Sequence, residues 1–299
     1  MKTATARTAV RFCNILFATD FSPAAAQAIP YVRKIAKHYD ADLLTLYVRP
    51  PVVNPMTEPG TWPNDIDIEA ARAEDEKHRE ELLDTFAGIR TRVQIEEGSI
   101  QSCLEAAIEK NNTDLVVIGT RGRTGLGKLL LGSVAEEIFR TVSCPVLTAG
   151  PRCDSSRAGG RQFREILYAT DFSPESQGAA AYAVSLAQEF QSRLILLHVI
   201  PEQKAGDLLS AADVTASSEK LLRTIVPPEA EAWCRQEYFV ERGDPAEKIL
   251  EFANLRESDL IVLGVRSEKG VPGAATHLQI ATAHKVVSHA TCPVLTVRH

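Results

Sequence analysis

Short apolar runs alternate along this chain with longer stretches in which apolar positions recur at helical spacing. The runs at 14–18, 43–48, 115–119 and 146–149 are continuous rather than alternating, as expected of strands buried on both faces of a parallel sheet. Between the first two, Ala25, Ala28, Ile29, Val32, Ile35 and Ala36 mark one face of a helix. Ser22-Pro23 supplies that helix with an N-cap and an N1 proline, and Ser173-Pro174 does the same in the second half. A highly charged helix is predicted over 66–87, a further strand over 92–97, and helices over 101–110 and 134–142. This β-α alternation predicts an α/β fold, a doubly wound, five-stranded parallel sheet with helices on both faces.

The pattern is written twice. Asn14–Pro23 (NILFATDFSP) and Glu165–Pro174 (EILYATDFSP) agree at eight of ten positions. LLTLYV (43–48) answers LILLHV (194–199), DLVVIG (114–119) answers DLIVLG (259–264), and SCPVLTA (143–149) answers TCPVLTV (291–297). Four ordered matches predict tandem domains over 1–150 and 162–299. The polar segment 151–161 (PRCDSSRAGGR) is the expected linker.

At 299 residues the chain is long for one domain and comfortable for two. A net charge of −6 argues against duplex DNA or an anionic membrane as a default partner, so neither nucleic acid nor membrane is expected. Six scattered cysteines form no CxxC and no zinc-ligand spacing, and Cys144 and Cys292 sit in apolar contexts where a thiol acts as a small hydrophobe. Residues 1–11 lack the apolar core of a signal peptide, and no run approaches 18 apolar residues, which makes the cytoplasm the expected location. The Pro-rich segment 50–64 is expected to be a loop over the sheet edge, either a lid or a disordered insertion.

In an open parallel sheet a ligand binds beyond the carboxyl ends of the strands, where the strand order reverses. With order 3-2-1-4-5, that point lies between strand one, ending at Ala18-Thr19-Asp20, and strand four, ending at Gly119. Gly119 opens a loop with glycines at 119, 122, 125 and 127, and Gly132 stands just before the next helix. Such glycines let backbone N–H groups approach an anion, and a helix N-terminus at Ser133 favours negative charge. Arg121, Arg123 and Lys128 add three cations and no acid. The alternative is a Gly-rich turn that merely joins strand to helix. A Walker A loop fails because Leu129 follows Gly127-Lys128, and a GxGxxG fingerprint fails because Lys-Leu-Leu follows Gly125-Leu-Gly127.

What matches is G-x2-G-x9-G-[ST], realised as Gly119, Gly122, Gly132 and Ser133. With ATDFS, LYV and the closing CPVL strand, this resembles the ATP-binding universal stress proteins. The resemblance implies a Rossmann-like, adenine-nucleotide α-hydrolase-like fold and ATP with Mg2+ as ligand. It implies that Asp20 and the backbone of Val48 line the adenine and ribose end, with Ala18 and Thr19 alongside. Gly119, Arg121, Gly122, Gly132, Ser133 and Val134 would hold ribose and phosphates. Thr124 and Lys128 are candidates for further phosphate contacts that the motif does not fix. Asp20 has a second reading, as a cap on the following helix, and the two roles can coexist.

The second half departs from the motif. Gly264 and Arg266 remain, but Ser267 replaces the second glycine, Ile280-Ala281 replaces Gly132-Ser133, and Glu268 adds negative charge. One nucleotide per chain is therefore expected, in residues 1–150. His277, His284 and His289 lack an acid or thiol to complete a metal site and are expected to be solvated or packed. No general base stands out near the loop, and Asp20 is the one obvious carboxylate at the switch point. The expected function is a nucleotide-dependent regulator of a stress response, with slow ATP hydrolysis or an empty interaction scaffold as alternatives. The closing strand is apolar and at a sheet edge. Family habit implies pairing through it, in a homodimer or internally as a pseudo-dimer.

Overall fold

The computed structural model describes residues 10–49, 65–120, 135, 138, 142–153, 162–202, 211–265 and 274–298. The first half contains β1 (Asn14–Thr19), α1 (Pro23–Tyr39), β2 (Asp42–Arg49), α2 (Asp65–Thr85), β3 (Thr91–Glu97), α3 (Ile100–Lys110), β4 (Leu115–Gly119) and β5 (Val146–Ala149). Ala135 and Ile138, helical and buried, fall where a helix over 134–142 is predicted. The second half contains β6 (Glu165–Thr170), α4 (Pro174–Phe190), β7 (Arg193–Ile200), α5 (Ala211–Ile225), a 3-10 turn (Pro228–Ala232) and β8 (Gln236–Arg242). It ends with α6 (Pro245–Leu255), β9 (Leu260–Val265), α7 (Ala274–His289) and β10 (Val294–Arg298).

Each half has the parallel strand order 3-2-1-4-5, and the two form one ten-stranded sheet, β3-β2-β1-β4-β5-β10-β9-β6-β7-β8. Among the described residues the join is the one antiparallel ladder, with Leu147 opposite Leu295 and flanking pairs Val146–Thr296 and Thr148–Val294. Thr148 Oγ1 donates to the Val294 carbonyl, and Thr296 Oγ1 to the Val146 carbonyl, each at 3.2 Å. These reciprocal bonds place a pseudo-twofold axis at Leu147–Leu295. The internal form of the last-strand pairing is thus the one observed.

Successive strand residues point to opposite faces, so Ile15 and Phe17 enter one core and Leu16 the other. Both cores run unbroken through the two halves. On one face α1 meets α4: His38 stacks on Phe190 at 4.1 Å, Phe12 on Tyr182 at 6.3 Å, and Lys34 Nζ lies 4.7 Å from the Phe163 ring centre. Local chemistry explains the shared sequence blocks. Asp114 Oδ2 accepts from the amides of Cys13 (2.7 Å) and Asn14 (3.1 Å), fastening the start of β1 to β4. Asp259 repeats this with Arg164 (2.7 Å) and Glu165 (3.1 Å). Ser22 and Ser173 cap α1 and α4, accepting from Ala25 N at 3.1 Å and Ser176 N at 3.2 Å. Among the described residues, no helix is long and apolar enough to cross a membrane.

Candidate functional site

The parallel ladders set Ala18 beside Ile118 of β4 and Thr19 beside Tyr47 of β2, so three strands end together at the reversal of strand order. Ala18, Thr19, Asp20, Val48 and Gly119 gather there, all half-buried. Ala18 and Val48 share the face that packs against the core containing α3. Gly119 is the last residue of β4 and leads into 121–134. Arg121, Gly122, Gly132, Ser133 and Val134 lie outside the described residues, as do Thr124, Lys128 and the whole of 50–64.

The chain leaves β1 through a tight turn. Phe21 adopts a left-handed backbone at φ 59°, uncommon for a residue with a bulky side chain. Two side chains hold it: Thr19 Oγ1 accepts from Phe21 N at 3.1 Å, and Asp20 Oδ1 accepts from Ser22 N at 3.0 Å. The helix cap belongs to Ser22; Asp20 braces the turn one step upstream. Its carboxylate is thereby oriented at the strand end, on a half-buried residue just past Thr19.

Gly119 has a packing duty of its own. A Cβ there would lie 2.5 Å from the Ala24 carbonyl oxygen and 2.7 Å from Ala25 N, so a bare Cα is what lets the first turn of α1 rest on β4. Gly264 repeats this against α4, where a Cβ would meet the Glu175 oxygen at 2.3 Å. The persistence of Gly264 in the second half therefore needs no ligand to explain it.

Three aromatic rings back the first-half turn. Phe21 and His78 of α2 stack at 4.0 Å with planes 16° apart, and Tyr47 meets each edge-on at 5.0 Å. Nothing in the repeat pattern marks His78, whereas the change from LYV to LHV does flag Tyr47 and its counterpart His198.

The second half keeps the turn but buries the last residues of the strand, while Asp171 at its tip is exposed. Phe172 has φ 64°, and Asp171 Oδ1 accepts from Ser173 N at 3.0 Å. Ala169 and Thr170, the counterparts of half-exposed Ala18 and Thr19, are 7% and 6% exposed. His198 Nδ1 lies 2.8 Å from the Thr170 carbonyl, which can only accept, so this nitrogen carries the proton. Burial pushes the His198 pKa down, opposed by that bond and by Asp171. Helix α7 begins at Ala274, so Ile280 and Ala281 lie inside it, with their amides in the range committed to helical bonding rather than in the unpaired first turn. Lys285 Nζ ties α7 to α6, at 3.2 Å from Asp244 and 3.0 Å from Glu247. The Glu247 amide and then Lys285 hold Asp244 below its ordinary pKa. His289 Nδ1 lies 2.9 Å from the Lys285 carbonyl. Burial raises the thiols of Cys144 to about 11 and Cys153 to about 12.

The sequence profile of the universal stress protein family matches this chain twice, over residues 11–149 and 162–298. A universal stress protein of Mycolicibacterium smegmatis is 26% identical over 304 residues, covering 95% of this chain and 97% of the relative. One from Bacillus subtilis is 32% identical over 152 residues, covering 46% of this chain and 99% of its own length. Among solved structures, a universal stress protein from Archaeoglobus fulgidus superposes with a TM-score of 0.69 at 22% identity, covering 95% of this chain and 98% of that one. That likeness speaks to the fold.

Proposed function

Because the chain belongs to the universal stress protein family through both of its halves, we propose that it binds one adenine nucleotide, ATP with Mg2+, in residues 1–150. Occupancy would regulate a partner surface or assembly in a stress response. The observation that carries this reading is the half-open end of β1, where Ala18, Thr19 and Asp20 border Gly119 as it enters the G-x2-G-x9-G-S segment. The chemistry fits an adenine nucleotide in two respects. Ala18 and Val48 offer apolar surface on one side of the strand ends, and Asp20 offers a carboxylate oriented by Ser22 N. Arg121, Gly122, Gly132, Ser133 and Val134 would supply the phosphate end. A loop with three cations and no acid has no carboxylate for a metal, so Mg2+ would arrive coordinated by the phosphates themselves.

The same residues argue for binding over turnover. Asp20 already accepts a backbone hydrogen bond that shapes its turn, which makes it a poor free base for activating water. The second half, with Ala169 and Thr170 buried and α7 running through the counterpart of Gly132-Ser133, is proposed to hold no nucleotide. Homodimerisation would need a surface other than the last strands, since β5 and β10 already pair within the chain.

The test is to denature purified, untagged protein and quantify the adenine nucleotide released, beside a Gly122→Ala, Gly132→Val double variant. About one nucleotide per chain, lost in the variant, is expected. No nucleotide, and no binding of added Mg-ATP, would leave an interaction scaffold as the better reading. Release of two per chain would overturn the assignment of the second half.

A further inference from the structure

We propose that His78 is a positioning residue for the first-half site: its imidazole holds the Thr19–Ser22 turn in the conformation that presents Asp20. This rests on the nucleotide reading above. Left-handed backbone at a phenylalanine persists only where its surroundings over-determine it. Around Phe21 those surroundings are the Thr19 and Asp20 side chains on one side and the His78 ring on the other, 4.0 Å away and nearly parallel. The Nδ1 atom of His78 is buried and has no hydrogen-bond partner among the described residues, so the ring acts through its face. Tyr47, edge-on to both rings, completes the packing.

The second half supplies a related arrangement. Phe172 is again left-handed, and again an imidazole lies against it: His198, 4.4 Å away with the planes tilted by 36°. That histidine comes from β7, at the position Tyr47 occupies on β2, whereas His78 comes from α2. One turn is thus covered by the same ring type reached from two different elements, which points to a requirement of the turn itself. In the first half Arg49 secures the helix that carries the ring, at 3.4 Å from Asp75 of α2 and 2.6 Å from Glu97 at the end of β3.

The test uses the full chain as wild type, His78→Ala and His78→Phe. Calorimetry measures Mg-ATP, with inorganic triphosphate as the probe of the phosphate end alone. His78→Ala is expected to weaken ATP roughly fivefold to tenfold, the worth of one stacked aromatic pair, and to leave triphosphate unchanged. His78→Phe should restore ATP affinity, because a phenyl ring offers the same face and buries no unpaired nitrogen. Unchanged ATP affinity in His78→Ala, a parallel fall in triphosphate, or failure of His78→Phe to rescue would each overturn the inference. Amide exchange of Phe21 and Ser22 without nucleotide tests the turn separately. It should quicken in His78→Ala and return to wild type in His78→Phe. Unchanged exchange sinks the inference whatever ATP does, whereas quickened exchange in a chain that binds no ATP removes only the nucleotide reading.

Discussion

Gly119 illustrates how one missing Cβ can meet a packing demand and also suit a proposed phosphate contact. In the sequence it opens a glycine-rich, cationic segment and reads as a phosphate contact. In the fold it also makes room for the backbone of α1, with Ala24 O only 2.5 Å from where a Cβ would stand. A backbone neighbour cannot swing aside as a side chain can. Gly119→Ala and Gly264→Ala are therefore each expected to cost about 2 kcal/mol of stability by overpacking, read as a fall in the denaturant midpoint. Equal losses at the two positions would identify packing as the shared cause. A larger loss for Gly119→Ala than for Gly264→Ala would show a further strain unique to the first half. For the same reason Gly122 and Gly132 are the better positions for testing phosphate contact. The packing duty of Gly119 and its proposed phosphate contact were inseparable in the sequence, because a close backbone and a close anion exclude the same atom. Asp20 is a milder case: its place after a strand and before Ser-Pro allowed a cap, and the structure gives the cap to Ser22 and the turn to Asp20.

Helix α7 bears on the proposed absence of nucleotide from the second half more than the residues substituted within it do. Ile280 and Ala281 replace a glycine and a serine, yet both sit in the second turn of a helix that begins at Ala274. An anion at a helix N-terminus uses amides that have no intrahelical acceptor, and amides this far along have one. Ile280→Gly, Ala281→Ser is accordingly expected to leave nucleotide stoichiometry at about one per chain, at a cost of about 1 kcal/mol for glycine inside a helix. A rise to two on the release assay would show that side chains, not the helix start, had silenced this half. The opposite case is α1, whose Ser-Pro start and apolar face were readable in full because its signals lie within a few residues of one another. The start of α7 has no such local marker: Gly270, Pro272 and Gly273 precede it, and they suit a turn as well as they suit a helix entry.

Both cores cross the β5–β10 seam, so neither half ends at its own boundary. Leu147 and Leu295, at the centre of the seam, are 1% and 2% exposed. On one face of the sheet His38, Phe12 and Lys34 of one half pack against Phe190, Tyr182 and Phe163 of the other. Burial shared in this way couples the two unfolding reactions, because exposing one half strips apolar contacts from its neighbour. Calorimetry of the full chain should show one transition with calorimetric and van't Hoff enthalpies in agreement. Two resolved transitions would mean that the seam holds the halves together without coupling their stability. Pairing β5 with β10 also removes two apolar edges that would otherwise recruit another chain, leaving β3 and β8 as the outer strands.

The order of strands and helices, the duplication and the cap residues were all legible in the chain as written, since each depends on spacing within a few turns or on direct comparison of one half with the other. The carboxyl-end location of the candidate site followed too, because parallel β-α-β units place it by handedness alone. What required the folded molecule were facts about distance between segments far apart in sequence. His78 reaches Phe21 from a helix with no matching residue in the other half, Gly119 lies under α1, and β5 meets β10 instead of a second chain. Of these only Gly119 leaves a repeated trace, as Gly264, and that trace does not tell a close backbone from a close anion; packing between distant segments depends on shape and contact, which an apolar pattern specifies only as a face.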